Sequence, residues 1–115
     1  MAPLTDPHLL AAIRQAFVEN RRFVGYVTWK PRAQEWVRRE FANHTARAIA
    51  DIINDYITSG GTIDQIRETR EEWLEYSYHY DVRLEIMERR IYVEMLLLRE
   101  EPADPHVEIV SIHDV

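Results

Sequence analysis

The chain has 115 residues, 46% hydrophobic and 30% charged, which suits one compact domain and leaves little length for a second. A net charge of -6 argues against a nucleic-acid binder of the simple basic kind, because phosphate neutralisation needs a Lys/Arg excess on some face. The absence of cysteine excludes a disulfide framework, thiol catalysis and thiolate metal sites, and no run approaches the roughly 18 consecutive apolar residues of a membrane span.

The opening MAPLTDPHLL lacks the basic-then-apolar pattern of a signal peptide, so a cytoplasmic protein is expected. Asp6-Pro7 supplies an N-cap and a preorganised first helical position, and Leu9, Leu10, Ile13 and Phe17 recur at helical spacing, which predicts a helix over about 7–19. Phe23 to Trp29 is rich in aromatic and β-branched residues and reads as a short strand. Pro31 opens a longer helix in which Val37, Phe41, Ala48, Ile49, Ile52, Ile53 and Tyr56 form one apolar stripe, ended by Gly60-Gly61. Thr62 to about Glu72 suggests one or two helical turns.

From Leu74 the period becomes two: Leu74, Tyr76, Tyr78, Tyr80, Val82, Leu84 and Ile86 share one parity. Ile91 to Arg99 is apolar on both parities, as in a central strand covered on both faces, and His106 to Asp114 forms a further strand beyond the loop EEPADP. The expected fold is a single α+β domain over 1–115, with two main helices packed on a small antiparallel sheet. That sheet is a three-stranded C-terminal meander with the short strand near 23–29.

A turn at Glu88-Arg89 pairs Ile86 with Ile91, Leu84 with Val93, Val82 with Met95 and Tyr80 with Leu97, every pair apolar. Glu-Arg lacks the Asn-Gly or Gly preference of two-residue turns, but a four-residue turn gives the same register. If Arg99 opposes His106, Glu94 faces Ser111 and Tyr92 faces His113. Arg83, Glu94 and Ser111 then form one row, and Glu85, Tyr92 and His113 the next. A carboxylate, an imidazole, a guanidinium and a phenol within reach of one small group suit general acid-base cleavage of a phosphodiester. In that reading Glu94 takes the proton of a ribose 2′-hydroxyl, His113 protonates the leaving oxygen, Arg83 holds the phosphate and Tyr92 donates a hydrogen bond or stacks on a base. The blander alternative is an ordinary cross-strand ion pair on a solvated sheet face.

Charge is unevenly spread: residues 1–60 carry eight Lys/Arg against six Asp/Glu, and residues 61–115 six against fourteen. Arg21, Arg22, Lys30 and Arg32, with Arg38 and Arg39, are the candidate RNA-backbone contacts, although a solvated face is the plainer account of them. His79 with Asp81, and His113 with Asp114, are each too few to hold a metal, so no metal or other cofactor is expected. His44, between Phe41 and Ala48, reads as a core histidine, and the tyrosine stripe as core packing rather than a base-stacking platform. Gly-rich phosphate loops, G-x-S-x-G elbows and H-E-x-x-H pairs are absent.

The stretch DVRLEIMERRIYVEMLLLREEPADPHVEIVSIHDV, about the last third of the chain, resembles the closing hairpin and final strand of small bacterial toxins of the RelE and MqsR type. The wider family of metal-independent ribonucleases includes barnase-like and colicin-type nucleases. The resemblance implies helices followed by an antiparallel sheet, an RNA-cleaving activity and an antitoxin partner. It supplies no catalytic residue, because those toxins share no motif that can be laid onto this chain, and this chain is acidic where they are basic. Arg83, Tyr92, Glu94 and His113 stand on the strand register alone. The competing expectation is a non-enzymatic interaction module, a homodimer or a subunit of a larger complex, because Leu96, Leu98, Val107 and Ile109 form an apolar group without an obvious cover.

Overall fold

The computed structural model describes residues 2–115. Ala2–Pro3 is a two-residue strand, β1. Helix α1 spans Pro7–Asn20, with Pro7 at its first position and the Asp6 carboxylate accepting from the backbone N–H groups of His8 and Leu9, as the sequence leads one to expect. Strand β2 is only Val27–Trp29. Phe23 and Val24, expected in that strand, are exposed in the turn before it. The amide of the buried Asn20 explains the late start: its Oδ1 accepts the Val27 N–H and ties the end of α1 to the first residue of β2.

The single long helix is two helices, α2 over Pro31–Glu40 and α3 over Ala46–Thr58. At Phe41 the backbone leaves the helical region (φ -124°, ψ 59°), and Thr45 then caps α3 by accepting the Ala48 N–H. The apolar stripe runs across the break because Val37, Phe41, Ile49, Ile53 and Ile57 are all buried in one core. Hydrophobic spacing records which side chains point inward, and backbone continuity is a separate matter. His44 lies in the break and is exposed, which corrects its reading as a core histidine.

Residues 62–72 also differ from expectation: Asp64–Arg67 is strand β3, followed by a 3-10 turn at Glu71–Trp73. Strand β4 begins at Tyr78 and ends at Ile86, so Leu74 and Tyr76 precede it, while Tyr78 and Tyr80 pack on the core as the tyrosine reading predicts. Strand β5 is Arg89–Arg99 and β6 is His106–Asp114. The expected meander is the centre of a six-stranded mixed sheet of order β1-β3-β4-β5-β6-β2, in which only β2 and β6 run parallel. The class is α+β, with three helices.

Two registers matter for function. Between β4 and β5 the turn residues are Met87 and Glu88, at φ 50° and 67°, and the pairs are Leu84 with Ile91, Val82 with Val93 and Tyr80 with Met95. This is two residues from the expected register. Two central residues at positive φ suit the right-handed strand twist, which decides the turn even without Asn or Gly. A shift of two preserves parity, so the same side chains still face the core. Between β5 and β6, Glu94 opposes Ser111, Tyr92 opposes His113 and Arg99 opposes His106, as expected.

Register shifts after Glu94 and Leu97 pair Met95 with Ile109 and Leu97 with Val107 in between. Val107 and Ile109 thereby join the main core, while Leu96 is buried apart from it. The proposed open apolar group therefore does not exist. The helices cover one sheet face, through contacts of α1 and α2 with β6 and of α3 with β4. The other face carries the polar residues. Among the described residues no helix is long and apolar enough to cross a membrane.

Candidate functional site

The alternation of β4, β5 and β6 turns polar side chains toward the face away from the helices. Asp81, Glu94 and Ser111 lie in one row across it, and Arg83, Tyr92 and His113 in the next. The two-residue difference in the hairpin therefore seats Asp81, rather than Arg83, beside Glu94. It also moves Glu85 out of the patch to face Arg90. Arg83, Tyr92, Glu94 and His113 nevertheless line one open concavity of about 470 Å³, with Asp114 and Val115 at its end.

Within it the Tyr92 ring stacks on the His113 imidazole, with centroids 4.8 Å apart at 26°. The Arg83 guanidinium lies 5.0 Å from the Tyr92 ring centre and pairs with Asp64 at 3.3 Å. The Tyr92 hydroxyl donates to Glu94 Oε1 at 3.2 Å and is also within hydrogen-bond reach of Asp81. Burial first, and then these carboxylates, push the Tyr92 phenol well above its ordinary value, so it stays a neutral donor. The exposed His113 places Nδ1 2.9 Å from the Asp114 carbonyl oxygen, which can only accept. Nδ1 therefore carries the proton, and Nε2 is left with a free lone pair when the ring is neutral.

Beside Tyr92 and Glu94 lies a buried cluster that the sequence left unassembled. Glu68, Asp81 and Glu94 are 5%, 1% and 6% exposed. Arg70 forks onto Glu68 through Nε and a terminal nitrogen, each at 2.9 Å, and that terminal nitrogen also pairs with Glu94 Oε2. His79 Nδ1 lies 2.9 Å from Glu68 Oε2, and His79 Nε2 lies 3.8 Å from Asp81 Oδ1. The Arg70 guanidinium, ahead of the opposing effect of burial, holds the Glu68 carboxyl at about 2. Burial raises the Asp81 carboxyl above its ordinary value against the pull of Tyr92. His79, Asp81 and Glu94 each offer a ligand atom, all within 4.8 Å of one another. The pair that seemed too small for a metal thus gains a third ligand from β5.

Period two on β4 already places His79 and Asp81 on one face. Glu68 and Arg70 sit in a segment without periodicity, and no sequence signal marks them. Of the expected RNA contacts, Arg32 shares a second concavity with Ser111 and His113. Arg21 pairs with Asp55 at 3.8 Å, Lys30 pairs with Glu108 at 3.4 Å, and Arg22 is exposed just after α1. None of these three lines either concavity.

Comparison of the chain with protein-family models, with curated proteins and with solved structures finds no match. These comparisons bear neither way on the expected resemblance to RelE- and MqsR-type toxins.

Proposed function

We propose that the chain is a toxin-like endoribonuclease that cleaves RNA in the concavity of Arg83, Tyr92, Glu94 and His113. The observation that carries this is the open stack of His113 on Tyr92 with the Arg83 guanidinium against the same ring. It sets a proton-transfer group, an anion-holding group and an aromatic surface within one cavity of about 470 Å³.

Glu94 is engaged by Arg70 and Tyr92, so the base in this reading is His113, through its free Nε2. Nε2 takes the proton of the ribose 2′-hydroxyl, the 2′-oxygen bonds to phosphorus, and the bond from phosphorus to the 5′-oxygen breaks. Water in the open site protonates the 5′-oxygen, and the imidazolium returns its proton to the resulting hydroxide. The products are a 2′,3′-cyclic phosphate and a 5′-hydroxyl. Arg83 faces the charge that grows on the phosphate, and neutral Tyr92, its hydroxyl committed to Glu94, holds the His113 imidazole and the Arg83 guanidinium against its ring. The chemistry at the reacting atoms needs no metal. A partner covering this concavity, such as an antitoxin, would block it.

The test is incubation of the purified chain with single-stranded RNA and analysis of the ends formed. Cyclic-phosphate and 5′-hydroxyl ends are expected, with the rate falling about 100-fold or more in His113→Ala and in Arg83→Ala while both variants melt within a few degrees of the parent. Intact RNA at stoichiometric enzyme, or full activity in both variants, rejects the assignment.

A further inference from the structure

Asp81 Oδ1 is buried and has no hydrogen-bond partner among the described residues. Leaving a carboxylate oxygen in that state is costly, and a native fold retains such groups where something else meets them. The atoms facing it are chemically specific. His79 reaches Glu68 through Nδ1, which leaves Nε2 turned toward Asp81 at 3.8 Å, and Glu94 borders the same space from β5. An imidazole whose outer N–H is held by a carboxylate is the arrangement that orients metal-ligating histidines and raises their basicity.

The geometry points to a divalent-cation site at His79 Nε2, Asp81 Oδ1 and the Glu94 carboxylate, with Glu68 as the residue that orients His79. Donor atoms within 4.8 Å of one another need only small side-chain rotations to reach the roughly 2.0–2.2 Å bonds of a first-row cation. One imidazole nitrogen with two carboxylates selects a transition cation in the range from manganese to zinc over magnesium or calcium, which prefer oxygen alone. Arg70 and Tyr92 do not block the site: Tyr92 takes one of the two lone pairs of Glu94 Oε1, and Glu94 Oε2, although ion-paired with Arg70, is buried without a hydrogen-bond partner. The cation would join β4 to β5 beside Tyr92 and add positive charge next to Glu68 and Glu94, which share the Arg70 guanidinium. The site goes beyond the ribonuclease reading, since neither His113 nor Arg83 is among its ligands and its test involves no RNA.

That test is calorimetric titration of the full chain, freed of metal by a chelator that is then removed, with manganese chloride and zinc chloride, and with magnesium chloride for comparison. One manganese or zinc ion per chain is expected. Asp81→Asn and His79→Gln should each weaken binding at least about 100-fold, and Glu68→Gln about 10- to 100-fold. His113→Ala should leave it unchanged. Asp81→Asn preserves side-chain shape while removing a buried charge, and thermal melting confirms that each variant is folded. No binding of manganese or zinc to the parent chain, equal affinity in folded Asp81→Asn, or loss of binding in His113→Ala overturns the proposal.

Discussion

Glu68 couples the stability of this protein to acid. Its carboxyl, ordinarily near 4.5, is held at about 2, chiefly by the Arg70 side chain, with the Arg70 backbone N–H and His79 adding to the effect. A carboxyl depressed in the folded state stabilises fully above its unfolded value and loses that contribution as pH falls toward the folded one. The stabilisation is therefore complete above about pH 5, drains between pH 5 and 2, and amounts to about 3 kcal/mol. In metal-free protein, denaturant melts of Glu68→Gln should show about that deficit at pH 7 and converge on the parent near pH 2. A constant deficit across this range would mean that Glu68 acts through packing. Asp81 runs the other way: burial raises its carboxyl, so Asp81→Asn should match or exceed the parent in stability at neutral pH.

At the level of elements, the β4–β5 hairpin decides which polar residues meet. Met87 and Glu88 both adopt the left-handed region, at φ 50° and 67°, where residues with a Cβ are disfavoured. The double substitution Met87→Asn/Glu88→Gly should stabilise the fold by about 1 kcal/mol, measured by chemical denaturation, and leave the register intact. A loss of stability would show that Met87 or Glu88 makes contacts that outweigh the strain. The same hairpin shows what sequence reasoning can reach. Parity assigned the faces of β4 and β5 correctly, because alternation survives any even shift. The choice between two registers of equal parity rested on turn chemistry, and there the residues themselves point the wrong way. The continuous apolar stripe from Val37 to Tyr56 similarly hid a break at 41–45, because both helices bury the same side of the stripe.

For the molecule as a whole, the register shifts between β5 and β6 turn Val107 and Ile109 into the helix-covered core. Ile109→Ala should accordingly cost about 2–5 kcal/mol in equilibrium unfolding, whereas a solvent-facing isoleucine would cost little. The sequence by itself determined the α+β class, the capped first helix, the three long C-terminal strands and the shared sheet face of Arg83, Tyr92, Glu94 and His113, because period, parity and caps are local properties. Only the tertiary structure decided the two outer strand pairings, the parallel seat of β2 and the fold of 68–77 against the polar face. These depend on contacts between residues far apart in the chain, which no local pattern encodes. The cluster of Glu68, Arg70, His79, Asp81 and Glu94 is the clearest product of that difference, since it draws on three segments and only the pair on β4 shares a repeat.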